Sequence, residues 1–271
     1  MTPVRRTSRL VLLGLAIATM GCRDILQAEA SNYAIINVET LSTGASTYGA
    51  RPSALFFNAA GIFLSSSVVA RDSCIVQRFP PDVSNPALDY LDPGSPVVAR
   101  FARPQTSGTL TARTQGSVTS YVLPEGATIA FVPGDTITVE VPSIEDGFEE
   151  RTIVARTAEA FVPSQLTIPA SSQADMPVTW TPGATAIPGS AMFYSLRFSA
   201  PAASSINREI ACFFIDDGNA TVPFESLFDF REATLRDVRA QRIRVTANRI
   251  GTTVTHVTST FNATVPVSVA P

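Results

Sequence analysis

TITVEV, Thr136–Val141, decides the fold class. Ile137, Val139 and Val141 fall on one side of an extended chain, and Thr136, Thr138 and Glu140 fall on the other. Successive side chains of a strand point to opposite faces, so this alternation means one buried face and one wet face. The turn Pro133-Gly134-Asp135 leads into it, and the acidic segment IEDGFEE (144–150) follows as a second turn. Both carry the residues that tolerate turn conformations.

The same grammar extends in both directions. Upstream, YAIINVE (33–39), SALFFNA (53–59), SCIVQRF (73–79), VVARFAR (97–103), GTLTART (108–114) and 118–123 read as strands, with a proline-rich loop at Pro80, Pro81 and Pro86. Residues 152–161 read as the last strand of a first domain. The polar stretch PASSQADMP (169–177) then marks a change of domain, because few contacts cross such linkers. Downstream, VTWTPG (178–183), MFYSLRF (192–198), EIACFFI (209–215), RIRVTANRI (242–250) and 253–269 read as strands. Asp217-Gly218 serves as a hairpin turn, and 224–230 as a short helix. The 20 prolines and 15 glycines punctuate short apolar runs, which is all-β composition. The expectation is two tandem antiparallel β-sandwiches, 32–162 and 163–271. In RIRVTANRI, Ile243, Val245 and Ala247 are expected to face the core, leaving Arg242 and Arg244 on the wet face.

The amino terminus carries a separate message. Arg5, Arg6 and Arg9 precede the apolar run Leu10–Gly21. That run is shorter than the ~20 residues a bilayer span needs, so it reads as an export signal. Thr19-Met20-Gly21-Cys22 resembles the bacterial lipobox, although Thr19 stands where leucine is usual. The resemblance implies cleavage after residue 21, lipidation of Cys22, and a tether over 22–31. Arg23 in place of the aspartate associated with inner-membrane retention implies the outer membrane.

VTWTPG followed by FYSLRF resembles the start of a fibronectin type III or related immunoglobulin-like domain, with Trp180 implied to fill the space between sheets. No tyrosine corner follows. IACFFIDDG with Val222-Pro223 is similar to a pattern in uncharacterised bacterial lipoproteins of this size. Those imply a tandem β-sandwich but supply no activity.

Candidate chemistry is sparse. All 20 basic residues are arginine, which excludes Schiff-base, phosphate-loop and Ser-Lys lysines. The formal net charge of −3 argues against nucleic acid as a partner. His256 is the only histidine and is expected on the surface, without the nucleophile and orienting acid of a triad. Cys74 and Cys212 read as separate buried thiols, one per domain, while an oxidising compartment also permits a disulfide. Asp216, Asp217, Glu145 and Asp146 are the oxygen-rich candidates for calcium or for a carboxylate pair, against the plainer reading of hairpin turns. Arg242 and Arg244 are candidates for an anion site. No metal site or cofactor is expected from these residues.

The expected function is a non-catalytic, lipid-anchored envelope protein that binds or scaffolds, with the membrane and an envelope protein or polysaccharide as partners. The alternatives are a carbohydrate- or polymer-binding accessory lipoprotein, using Phe79, Tyr90 and Phe101, and a hydrolase using acidic residues.

Overall fold

In a computed structural model of the protein, the described residues are 32–44, 46–58, 72–80, 88–142, 148, 150–183 and 189–270. The chain is all-β. Its first half carries β1 (Asn32–Ser42), β2 (Tyr48–Asn58), β3 (Ser73–Arg78), β4 (Asp89–Tyr90), β5 (Val97–Phe101), β6 (Thr106–Gln115), β7 (Val118–Val122), β8 (Ile129–Phe131), β9 (Thr136–Val141) and β10 (Arg151–Arg156). The second half carries β11 (Leu166–Ile168), β12 (Met176–Thr179), β13 (Ser190–Phe198), β14 (Arg208–Ile215) and β15 (Asn219–Val222). After a 3-10 turn, Phe224–Leu227, come α1 (Phe228–Glu232), β16 (Arg236–Ile250), β17 (Thr253–Thr264) and β18 (Val267–Val269).

β9 has the alternation its sequence requires, with Ile137, Val139 and Val141 buried. It sits between β10 and β5. From there the ladder continues through β6, β7, β2, β1, β17, β16, β13, β14 and β3, with β4 and β8 also paired to β2. Strands from both sides of residue 162 therefore share one hydrogen-bonded sheet. β1 joins β17, with Ile36 opposite Val257, and β3 joins β14, with Cys74 opposite Cys212.

Purely antiparallel pairing needs correction at two places. β1–β17 and β11–β18 are parallel. Parallel neighbours cannot be joined by a tight hairpin, and here each pair unites segments far apart in the chain.

Among the described residues two large apolar cores pack on this sheet, besides a small cluster at Tyr33 and Phe57. The first is built from residues such as Ile36, Phe56, Phe101, Leu110 and Phe148, and it takes in Val257 from β17. The second contains Trp180, Tyr194, Phe198, Phe214 and Phe230. Trp180 is buried there, near Phe214 and Tyr194. The helix expected over 224–230 is present as the 3-10 turn and α1. It buries Leu227 and Phe230, with Phe230 edge-on to Phe198. Gly218, at φ +107°, makes the turn from β14 to β15, a conformation that glycine adopts without steric cost.

β16 corrects the face assigned to its arginines. The strand begins at Arg236, six residues before the stretch whose alternation was read. Val238 and Ala240 are buried in the second core, and their parity carries Arg242 and Arg244 inward. Ile243 and Val245 are half-buried on the opposite face, and Ala247 is exposed.

Candidate functional site

Two constructions tie the halves of the chain together. The first is a clasp at the β3–β14 edge. Cys74 and Cys212 are joined by a disulfide, with Cα atoms 4.0 Å apart and 138 residues between them in sequence. This corrects the reading of two separate thiols. On the opposite face of the same strands, Gln77 Nε2 donates to Glu209 Oε2 at 2.7 Å. Ser195 Oγ also donates to the Glu209 carboxylate, and Arg197 Nε donates to Ser195 Oγ at 3.0 Å. The Arg197 guanidinium lies 4.3 Å from the centre of the Phe79 ring, within cation–π range. At the strand's start, Ile215 N–H donates to Asp72 Oδ1 at 3.0 Å.

The second construction is a buried ionic centre where the connection after β10 meets the second core. The Arg242 side chain is 2 % exposed and that of Asp216 is 6 % exposed. Arg242 Nε lies 2.8 Å from Asp216 Oδ2, but its N–H is not directed at an acceptor, so that contact is ionic. The directed bond runs from Nη2 to Oδ1, at 2.9 Å. Trp180 Nε1 donates to the same oxygen at 2.9 Å, and Ser190 Oγ donates to Oδ2 at 2.7 Å. Arg242 also donates to the carbonyls of Ala160 and Thr181, and its guanidinium is 5.2 Å from the Phe161 ring centre. Arg244 Nη1 donates to the Thr157 carbonyl at 3.2 Å, and Ser259 Oγ accepts from the Ala158 amide at 2.9 Å. Burial lowers the Arg244 pKa from its ordinary value.

These groups fasten the 157–161 connection to β16 and β17. Buried charge persists only where it is paired and hydrogen-bonded; here Asp216 accepts from Arg242, Trp180 and Ser190, and Arg242 also donates to two backbone carbonyls. The space among Ala158, Ser190, Asp216, Arg242 and Arg244 has no room for a water-sized guest.

The other sequence candidates are scattered. Cys22, Glu145 and Asp146 lie outside the described residues. Asp217 is exposed, and its Oδ1 accepts from the Asn219 amide at 3.2 Å, an ordinary turn contact. Phe101 is a core residue beside Phe131, which corrects its place among exposed aromatics. Phe79 lies under Arg197, and Tyr90 packs against the small Tyr33–Phe57 cluster.

His256 is also corrected. It is 7 % exposed, its Nε2 has no hydrogen-bond partner, and burial depresses its pKa. Among the described residues, no three His, Cys, Asp or Glu side chains gather where they could hold a metal ion. Two roomier depressions are open to solvent. One of about 450 Å³ is lined by Arg100, Gln105, Ser107 and Glu140, and one of about 400 Å³ by Arg236, Thr264, Val267 and Val269.

Sequence reasoning missed Glu209, Ser195 and Ser190. Glu209, second in β14 after Arg208, is the only acidic residue of a mostly apolar strand, which is a signal in itself, because a buried carboxylate needs donors on neighbouring strands. Comparison with protein-family models and with curated proteins found no match.

Proposed function

We propose that this chain is an exported, fatty-acylated bacterial envelope protein whose β body acts as a non-catalytic binding or scaffolding module. The observation that carries the reading is the Cys74–Cys212 disulfide. Such bonds persist outside the reducing cytosol, and an export signal over Leu10–Gly21 would deliver the chain there. We further read the two apolar cores as two immunoglobulin-like sandwich units sharing a sheet, held at the outer membrane by acyl chains on Cys22. Two or more chains make such anchoring stable, at ~0.8 kcal/mol per buried CH₂.

Metabolic labelling with a fatty-acid analogue tests the anchor. The expected result is label on the wild-type chain and none on Cys22→Ser, with Cys22→Ser leaving the membrane fraction. A Cys22→Ser chain that keeps both label and membrane association overturns the proposal.

A further inference from the structure

β3 ends the main sheet, and among the described residues nothing pairs with its outer edge. Ile75 is 56 % and Val76 50 % exposed. Native edge strands are usually blunted by charge, proline or a bulge; Ser73–Arg78 has no proline, and its only charge is at the end.

Two observations establish which backbone groups are open. The 4.0 Å Cα separation of Cys74 and Cys212 is the close spacing of a non-hydrogen-bonded antiparallel pair. One step past the strand, Phe79 N–H donates to the Asn207 carbonyl at 3.0 Å, continuing the same register. Ser73, Ile75 and Gln77 therefore direct their amides and carbonyls at β14. Cys74, Val76 and Arg78 direct theirs at the open edge.

We propose that β3 pairs antiparallel with β3 of a second copy of this chain, about a two-fold axis at Ile75, so that two sheets become one. Outward-directed residues must oppose outward-directed residues, which excludes every register one residue away. Charge then selects among the rest. Centring on Ile75 sets Cys74 opposite Val76 of the second copy, Ser73 opposite Gln77, and Asp72 opposite Arg78. The last pairing occurs twice by symmetry.

Asp72 and Arg78 are both exposed, and only Oδ1 of Asp72 is engaged, by the Ile215 amide. Centring on Val76 sets Asp72 against Pro80, which has no amide to offer. Centring on Cys74 sets Asp72 against Val76 and carries Arg78 past the start of the strand. In the favoured register Ile75 meets its own symmetry mate and leaves water. The contact is isologous and closes at two copies.

Sedimentation equilibrium of the full chain in detergent tests the proposal, with Cys22→Ser as a control that removes the anchor and leaves the dimer. Val76→Pro removes a donor from the open edge and none from the β3–β14 ladder. It should weaken association roughly tenfold to a hundredfold, while the disulfide and the melting temperature measured at concentrations where both chains are monomeric stay as in the wild type. Arg78→Asp should weaken association, and Asp72→Arg combined with Arg78→Asp should restore it. A chain that stays monomeric up to its solubility limit overturns the proposal. So does a dimer indifferent to Val76→Pro, or one that the double charge reversal fails to restore.

Discussion

Replacing Asp216 by asparagine keeps the shape of the side chain and one oxygen, which can accept from Trp180 in place of Oδ1 while the amide nitrogen faces the Ser190 hydroxyl, and it removes the charge that Arg242 faces. At 2.8 Å and an effective dielectric constant near 20, the gross attraction is about 6 kcal/mol. Desolvation of both ions offsets much of it. Breaking one side of a buried pair nevertheless leaves the other charge uncompensated, which costs ~3–5 kcal/mol. For a chain of this length that corresponds to a melting temperature lower by ~6–20 °C. Denaturant unfolding at neutral pH, extrapolated linearly to water, measures the loss directly.

The double variant Asp216→Leu/Arg242→Met supplies the contrast. It removes both charges but leaves the carbonyls of Ala160 and Thr181 without the Arg242 donor, at roughly 1–3 kcal/mol for each unsatisfied acceptor. It should lie below the wild type yet lose less than the two single substitutions summed. The loss in Asp216→Asn should also hardly change with salt, because a buried pair is poorly screened. A change below ~1 kcal/mol in Asp216→Asn, or a loss that vanishes in high salt, refutes the assignment of a buried, coupled pair.

Reduction, or Cys74→Ser with Cys212→Ser, opens a loop of 138 residues. It should cost up to ~5 kcal/mol by loop entropy, read as a fall in denaturant midpoint, and the unreduced wild type should show no free thiol at either position. Burial depresses the His256 pKa, so on acidification the unfolded chain takes up this proton first, near pH ~6.5. Stability from this group is complete above that value and is lost as the pH falls towards the folded pKa. His256→Gln should flatten the stability–pH curve between neutrality and mild acid, measured as the difference from wild type. Gly189 has φ +84°, and a Cβ there would run into the Val245 carbonyl oxygen. Gly189→Ala should therefore destabilise by more than ~1 kcal/mol, visible in thermal unfolding.

Much of the secondary structure is legible in the residues one strand at a time. Thr136–Val141 falls where its alternation puts it, because a strand's two faces are a local property of the backbone, and the apolar runs 73–79 and 209–215 fall on β3 and β14. The inward arginines were not legible from RIRVTANRI alone. Parity is shared along a whole strand, and Val238 and Ala240 set it upstream of that stretch. An arginine at such a position counts as wet until a carboxylate is found for it. Asp216 lies on the far side of β13, in the turn after β14.

What the sequence by itself determined is therefore the all-β class and most strand positions, since each depends on neighbours a few residues apart. Tertiary structure alone decided that β3 crosses to β14, that Cys74 meets Cys212, and that Asp216 neutralises Arg242. Those outcomes depend on which strands become neighbours, and strand order is a competition among pairings across the whole chain. No local alternation of apolar and polar residues encodes its result.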